Sequence, residues 1–259
     1  MKIAVIQHDI EWCEREINFQ RLAPMIKEAS DNGANLVLLS ETFSTGFAIE
    51  DSRFAEKEGG PSSQFLATMA REHGIWIGGT CPEIASGQTT DQRPANTFVL
   101  CGVDGTEHRY RKIHPFTFGG EHEHVRPGDE LVTVNIDGLQ CTLFVCYDLR
   151  FADEFWQVAQ ETDVYLVPAN WPDSRRLHWL TLLQARAIEN QAFVVGCNRV
   201  GSGGNLQYSG DSRVFGPFGE ELVAAQDGEG IFYAEVTSEQ VAATRDKFRF
   251  LQDRRTSQG

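Results

Sequence analysis

Short apolar runs alternate with longer amphipathic segments along most of this chain, and this alternation limits what it can fold into. Residues 2–7 and 36–39 have the length and apolar content of buried strands. Between them, residues 14–30 carry apolar side chains at helical spacing. Because strands that alternate with helices form sheets covered by helices, the sequence predicts an α/β fold.

The rest of the chain continues this pattern. A helix is expected to open at Gly59-Gly60-Pro61-Ser62 and to run to about Arg71. Asp104-Gly105 and Asp137-Gly138 each separate two strand-like runs, which predicts two hairpins. The remaining expected elements are strands at 75–80, 96–101, 107–111, 131–136, 139–145, 163–168, 192–199, 212–215 and 230–236, and helices after Cys146, at about 175–190 and from Ser238. Since no repeat, low-complexity tract or linker divides the sequence, we expect a single domain over residues 1–259.

Charge and cysteine usage narrow the functional classes. The 259 residues carry a formal net charge of −14, which argues against nucleic acid and anionic membrane surfaces as partners. The six cysteines show no C-x-x-C spacing, so neither a redox dithiol nor a zinc knuckle is indicated. Free thiols suit a reducing compartment, and no run resembles a signal peptide or a membrane span. A cytoplasmic protein is expected.

Three polar residues with complementary chemistry end or closely follow strand-like runs. They are Glu41 after the run at 36–39, Lys112 after the run at 107–111 and Cys146 after the run at 139–145. A carboxylate, an ammonium and a thiol can form a covalent amide-cleaving site. Glu41 would take the thiol proton, while Lys112 would favour the thiolate and stabilise an oxyanion. The alternative is that Cys146 packs as a small apolar side chain.

Five stretches of the sequence resemble the nitrilase, or carbon–nitrogen hydrolase, superfamily. They are Leu38-Leu39-Ser40-Glu41-Thr42-Phe43, Tyr110-Arg111-Lys112-Ile113-His114, Val145-Cys146-Tyr147-Asp148-Leu149-Arg150-Phe151, Pro168-Ala169-Asn170-Trp171-Pro172 and Gln184-Ala185-Arg186-Ala187-Ile188-Glu189-Asn190-Gln191. The similarity extends over nearly the whole chain. The segments at Cys146, Asn170 and Cys197 most resemble the bacterial omega-amidases.

The resemblance implies a fold and a set of roles. The fold is an α-β-β-α four-layer sandwich, in which two sheets face each other and helices cover each sheet. The catalytic triad would be Glu41, Lys112 and Cys146. A homodimer or larger homo-oligomer is also implied, formed through helix faces around residues 155–190 and the C-terminal segment.

The loop between the lysine and the cysteine contains Gly120-Glu121-His122-Glu123-His124, a segment dense in metal-ligand residue types. A metal site and a solvated loop without a role are both open, but alternate residues in a loop do not fix a coordination geometry. We therefore expect no metal. The resemblance implies a second catalytic glutamate here, six residues before a Pro-Gly pair, which orients the lysine. Glu121 has that spacing from Pro127, and Glu123 is the alternative.

The substrate-binding residues are predicted less directly. If a helix begins at Cys146, Arg150 shares a face with it and could hold a substrate carboxylate through two hydrogen bonds. The alternative for Arg150 is a structural ion pair with Asp153, Glu154 or another acid, and Arg175 and Arg176 are alternative ligands for the carboxylate. The expected apolar walls are Phe43, Phe116 and Trp171, each of which could also be an ordinary core aromatic; Tyr147 and Asn170 are further candidate substrate contacts.

These observations predict a cofactor-independent amidohydrolase with a cysteine nucleophile. The most specific form is an omega-amidase that hydrolyses the terminal amide of a short 2-oxo dicarboxylate monoamide, such as 2-oxoglutaramate or 2-oxosuccinamate. The same triad would serve a nitrile, an N-carbamoyl compound or another small amide. A non-catalytic interaction protein that keeps the fold is the alternative from another class.

Overall fold

In the computed structural model, which describes residues 1–87, 91–225 and 227–255, the strands form two main sheets and a separate hairpin. In chain order the strands are β1 (Lys2–Gln7), β2 (Leu36–Leu38), β3 (Glu56–Lys57), β4 (Trp76–Ile84), β5 (Ala95–Cys101), β6 (Glu107–Arg111), β7 (Thr133–Ile136), β8 (Leu139–Leu143), β9 (Val164–Ala169), β10 (Phe193–Asn198), β11 (Val200–Gly203), β12 (Leu206–Ser209), β13 (Arg213–Phe215), β14 (Glu221–Ala224) and β15 (Gly230–Glu235). The helices are α1 (Arg15–Asp31), α2 (Pro61–His73), α3 (Glu121–His124), α4 (Ala152–Gln157), α5 (Arg176–Asn190) and α6 (Ser238–Lys247). Short 3₁₀ turns span Ser52–Phe54, Thr117–Gly119, Cys146–Arg150, Asp173–Arg175 and Phe250–Asp253.

Each main sheet has a parallel centre. The first sheet has the order β15-β1-β2-β4-β5-β6, with β3 beside β4, and β1, β2 and β4 run parallel. The second has the order β14-β13-β10-β9-β8-β7, and β8, β9 and β10 run parallel. Strands β11 and β12 form the separate hairpin.

The side chains of β1 show how the layers arise. Ile3 and Val5 join the apolar cluster that contains the strands of the second sheet. Ala4 and Ile6 point to the opposite face, where they join a cluster with α1 and α2. Helix α5 covers the second sheet, because Leu183 packs closely over Gly196. The layers are therefore α-β-β-α, which confirms the predicted sandwich.

Most predicted elements are present, and the differences have local causes. Both predicted hairpins form, β5–β6 and β7–β8. After Cys146 the predicted turn and the helix that follows it are both present, as a 3₁₀ turn over Cys146–Arg150 and as α4 from Ala152. Strands β3, β11, β12 and β14 were not predicted, because they are short or glycine-rich.

The sheet topology brings the ends of four strands together. Strand β6 runs in the same direction as β2, because it is antiparallel to β5, which is itself antiparallel to β4. The residues after β2 and β6 therefore lie at one edge of the first sheet, and those after β8 and β9 at one edge of the second. The backbone N–H of Glu41 donates to Ala169 O at 3.4 Å, so the two edges meet.

Candidate active site

A cavity with about 420 Å³ of empty space, including its open mouth, lies where the two sheet edges meet. It is lined by Glu41, Phe47, Lys112, Phe116, Cys146, Tyr147, Arg150, Asn170, Trp171, Pro172, Arg175, Leu206 and Tyr208. The cavity thus brings together the carboxylate, the ammonium and the thiol that the sequence placed at separate strand ends.

Two glutamates share the ammonium of Lys112 at the base of the cavity. Lys112 Nζ donates to Glu41 Oε1 at 2.9 Å and to Glu121 Oε2 at 2.8 Å. All three side chains are buried. The geometry places Glu121 against the lysine, whereas Glu123 is exposed to solvent. Of the two glutamates considered from the sequence, Glu121 has the contact expected of a lysine-orienting group.

Two asparagines fix the carboxylates. Asn96, the second residue of β5, donates from Nδ2 to Glu41 Oε1 at 2.8 Å and to Glu121 Oε1 at 3.0 Å. The backbone N–H of Asn170 donates to Glu41 Oε2 at 2.8 Å. Charge-assisted bonds of this kind hold a buried carboxylate in one orientation. Asn170 was among the predicted site residues, but Asn96 was missed.

Cys146 occupies the first position of the 3₁₀ turn with a strained backbone, since its φ is +46°. Burial raises the pKa of the Cys146 thiol well above its ordinary value, and the negative charge of Glu41 raises it further. Lys112 lowers the pKa of this thiol, as predicted, but the opposing effects outweigh it. The resting thiol is therefore protonated near neutral pH and needs a base in order to react.

The ionisation of Lys112 and Glu121 is set by their burial together with the charges around them. Burial disfavours the ammonium of Lys112, but the carboxylates of Glu121 and Glu41 outweigh this and keep the pKa of Lys112 well above its ordinary value. Burial raises the pKa of Glu121, and the negative charge of Glu41 adds to this, against the attraction of Lys112. The lysine consequently stays charged while it contacts both glutamates.

The predicted arginines take three different positions. Arg150 and Arg175 both line the cavity. The Arg150 guanidinium lies 4.7 Å from the centre of the Trp171 ring, and that of Arg175 lies 5.2 Å from the centre of the Phe116 ring. Arg176 instead pairs with Asp211, its Nε lying 2.6 Å from Asp211 Oδ2, so its selection as a carboxylate ligand was wrong.

Arg150 reaches the cavity by a different geometry from the one predicted. The 3₁₀ turn does not stack residues four apart as an α-helix would, so the expected shared helix face does not exist. Its Nη2 lies 3.2 Å from His178 Nδ1. Among the described residues no acidic side chain pairs with Arg150, and Glu154 contacts His114 instead. The alternative of an ion pair with Asp153 or Glu154 is therefore not observed.

The apolar walls were predicted with one error. Phe116, Tyr147 and Trp171 line the cavity. Phe43 does not, because it is buried under helices α1 and α2 and contacts Phe19 and Phe65. The left-handed turn at Thr42, with φ +41°, interrupts the strand alternation just before this side chain. Phe47, Leu206 and Tyr208 were missed; the last two lie on the β11–β12 hairpin.

The histidine-rich loop adopts the short helix α3. Glu121 turns inward to Lys112, while His122 and Glu123 are exposed. Within residues 1–87, 91–225 and 227–255, no group of three or more acidic, histidine or cysteine side chains is arranged to hold a metal ion. The carboxylate that a metal site in this loop would need is already bound to the lysine.

Comparison with known proteins gives a consistent result. The carbon–nitrogen hydrolase family model matches residues 2–246. The chain is 35% identical to "Omega-amidase YafV" of Escherichia coli strain K12, covering 98% of this chain and 96% of that protein. It is 30% identical to "2-oxoglutaramate amidase" of Bacillus subtilis, covering 97% and 96%. The crystal structure of XC1258 from Xanthomonas campestris, a CN-hydrolase superfamily protein with an arsenic adduct in its active site, superposes with a TM-score of 0.92 at 31% identity, covering 99% of this chain and 97% of that one.

Proposed function

The chain belongs to the carbon–nitrogen hydrolase family and is an amidohydrolase acting on C–N bonds, and from this premise we propose that it is an omega-amidase. The substrate class is a short 2-oxo dicarboxylate monoamide, such as 2-oxoglutaramate or 2-oxosuccinamate. The observation that supports this most strongly is one cavity with a Glu41–Lys112–Cys146 cluster and two arginines without an acidic partner among the described residues.

The first half of the reaction acylates the enzyme. Glu41 takes the proton from the Cys146 thiol as the sulfur attacks the amide carbonyl. The negative charge that develops on the carbonyl oxygen is stabilised by the Lys112 ammonium. We infer a second donor in the N–H of Tyr147, because the first amides of a helical turn have no partner inside the turn. The carboxylate of Glu121 keeps the ammonium in place.

The second half releases the products. The tetrahedral intermediate expels the nitrogen, which receives the proton from Glu41 and leaves as ammonia, and a thioester remains on Cys146. Glu41, again unprotonated, takes a proton from water, and the resulting hydroxide attacks the thioester carbonyl. Cleavage of the C–S bond gives the dicarboxylate, and the proton on Glu41 returns to the sulfur. The same carboxylate therefore serves as base and acid in both halves.

The outer part of the cavity favours an anionic tail. Burial lowers the pKa of Arg150, and the positive charge of Arg175 lowers it as well, so the two guanidinium groups repel each other. A substrate carboxylate between them would relieve this repulsion and accept paired hydrogen bonds. An α-ammonium group, as in glutamine, would add a third positive charge. The site therefore favours a 2-oxo acid over the corresponding amino acid.

The relatives support the same substrate class, since two of them are named omega-amidase and 2-oxoglutaramate amidase and match nearly full length. The decisive experiment measures ammonia release from 2-oxoglutaramate, 2-oxosuccinamate, glutamine, asparagine, simple nitriles and N-carbamoyl amino acids. The two 2-oxo amides should give the highest kcat/KM. A higher kcat/KM for a nitrile or an N-carbamoyl compound would replace this substrate assignment with the alternative that the triad also allows.

We also propose that the single carbon–nitrogen hydrolase domain assembles as a homodimer or larger homo-oligomer. Large apolar side chains are exposed on and near α5 and after α6, at Leu177, Ile188, Phe218 and Phe248. Exposed apolar side chains of this size support a protein–protein contact on this part of the surface. Sedimentation velocity should give twice the monomer mass or more, and Ile188→Asp should shift the protein toward monomer. A wild-type monomer at micromolar concentration would contradict the proposal.

A cytoplasmic location is proposed on the chemistry of the thiols. All six cysteines are free, and five of them are buried. No helix among the described residues has the length and apolarity of a membrane span. Fractionation of the source cells should place the protein with cytosolic enzymes, and recovery in a secreted or membrane fraction would contradict this.

A further inference from the structure

Asp148 has a buried carboxylate that accepts four hydrogen bonds outside the cavity. Oδ2 accepts from Tyr110 Oη at 2.8 Å and from the Val145 backbone N–H at 3.0 Å. Oδ1 accepts from the His114 backbone N–H at 2.9 Å and lies 3.1 Å from His114 Nδ1. The side chain is 1% exposed, and the mechanism above does not use it. These four bonds account for the accepting capacity of the carboxylate.

The partners of this carboxylate flank the two reacting groups. Tyr110 lies two residues before Lys112, and His114 lies two residues after it. Val145 directly precedes Cys146, and Asp148 follows it by two residues. The Asp148 side chain therefore links residues on either side of Lys112 to the residue before Cys146. The lysine follows a strand of the first sheet, and the cysteine follows a strand of the second.

The electrostatic setting of Asp148 does not suggest a role in stability alone. Among the described residues, no lysine or arginine forms an ion pair with it; its side-chain contacts are the Tyr110 hydroxyl and the His114 ring. That ring also contacts Glu154, at 3.4 Å from Nε2, and stacks on Phe151. Taking a carboxylate out of water is costly, and an apolar side chain would fill the same space without that cost.

The strained backbone at the nucleophile depends on the same contacts. Cys146 has a φ of +46°, a conformation that non-glycine residues keep only where their surroundings enforce it. On either side of this residue, the Asp148 N–H donates to Val145 O at 3.0 Å, while the Val145 N–H donates to the Asp148 carboxylate. The turn is thus closed by two bonds between the residues that surround the thiol.

We propose that Asp148 is a positioning residue for amide hydrolysis, which sets the separation and orientation of the Cys146 thiol relative to the Lys112 ammonium. The proposal rests on the roles assigned above to those two residues, but not on the identity of the substrate. Asp148 touches neither substrate nor reacting atoms, so it acts through the backbone on each side of them. Tyr110 shares this role, because its hydroxyl forms the hydrogen bond that links Asp148 to strand β6.

The test compares Asp148→Asn with Glu56→Gln. An asparagine has nearly the same shape as an aspartate. Its NH₂ group replaces one carboxylate oxygen, however, and cannot accept the two hydrogen bonds that this oxygen accepts. Glu56 serves as the control, because it is also a buried carboxylate with hydrogen bonds to Ser62; it differs in pairing with Arg15 at 3.0 Å and lies on the helix side of the first sheet. We expect Asp148→Asn to lower kcat roughly ten- to a hundredfold per folded site, with KM changed much less. Glu56→Gln should lower the thermal midpoint but leave kcat per folded site unchanged.

A second readout is independent of the substrate. The rate of Cys146 alkylation by iodoacetamide, followed by mass spectrometry across a pH range, reports how strongly the Lys112 ammonium favours the thiolate. In Asp148→Asn its midpoint should move to higher pH, because Lys112 no longer lies where it favours the thiolate. Tyr110→Phe removes a single hydroxyl and should give smaller changes of the same sign; it decides the question if Asp148→Asn does not fold.

The proposal fails if the folded variants keep the wild-type kcat and alkylation profile, or if Glu56→Gln loses as much kcat per folded site. A failure of the substrate assignment alone would give a different set of results. In that case the wild-type protein releases no ammonia from 2-oxo amides, while the alkylation profiles of Cys146 still show whether Asp148 positions the thiol.

Discussion

The ammonium of Lys112 lies 2.9 Å from the carboxylate of Glu41, although the two residues are 71 positions apart in the sequence. The same carboxylate raises the pKa of the Cys146 thiol. Glu41 therefore affects the nucleophile in two opposite ways. Its negative charge disfavours the thiolate at rest, and in the proposed mechanism its carboxylate removes the thiol proton during attack.

Replacing Glu41 with glutamine should separate these two effects. Because a cause of the raised pKa is lost, the alkylation midpoint of Cys146 should move to lower pH. Turnover should nevertheless fall by roughly 10²- to 10⁴-fold, since no base remains to move the proton. Glu123→Gln, at the exposed glutamate of α3, should change neither quantity. A turnover close to wild type in Glu41→Gln would exclude Glu41 as the base.

Cys146→Ala should abolish ammonia release, because no other group in the cavity can form the thioester. Cys141→Ala, at a buried thiol of β8 outside the cavity, should keep most of the turnover and lose only some stability. Groups that act as a unit show non-additive losses, so Glu41→Gln added to Cys146→Ala should cost little more. Substantial ammonia release by Cys146→Ala would contradict the nucleophile assignment.

Arg150→Lys should lower kcat/KM on 2-oxoglutaramate roughly ten- to a hundredfold, because a single ammonium cannot replace paired guanidinium bonds to a carboxylate. The loss on an uncharged monoamide of similar length should be much smaller. Arg175→Lys should show the same selectivity if both guanidiniums bind the carboxylate. Arg176→Lys is the matched control, since Arg176 pairs with Asp211. Equal losses on both substrates would make Arg150 a structural support of the turn.

Exhaustive chelation should leave full activity, because in the proposed mechanism Glu41, Lys112, Cys146 and Glu121 provide the proton transfer, the nucleophile and the oxyanion stabilisation. The measurement is ammonia release after dialysis against a strong chelator, compared with a mock-dialysed sample. Loss of activity that one divalent ion restores would revive the metal interpretation of the loop from Glu121 to His124.

The candidate triad could be predicted from sequence because strand ends are visible in the apolar pattern, which made Glu41, Lys112 and Cys146 candidates, and because the family resemblance assigned them to one site. Glu41, Lys112 and Cys146 each follow such a run closely, and strands that run in the same direction end at the same edge of a sheet. Their meeting in one cavity is a consequence of topology. The face-to-face arrangement of the two sheets, in contrast, came from the family resemblance, because periodicity alone does not specify how two sheets pack.

The remaining residues of the cavity could not be predicted from the sequence, for physical reasons. Asn96 is the second residue of a fully buried strand, where alternation does not mark one position as functional. Tyr208 comes from a hairpin whose glycine-rich sequence resembles a loop. Phe43 and Phe47 are both aromatic residues after β2, and the loop between them, with left-handed residues at Thr42 and Gly46, brings Phe47 rather than Phe43 to the cavity.

The division of the cavity between two sheets means that neither portion of the chain contains a complete reaction centre. A fragment ending near residue 128 would hold the base and the ammonium but lack the thiol. The complementary fragment would hold the thiol together with β15, the strand that borders β1 in the other sheet. Recombining the two fragments would regain hydrolysis only when β15 inserts beside β1 and the sheets dock. Enzymatic turnover is thus a direct gauge of whether the whole sandwich has assembled.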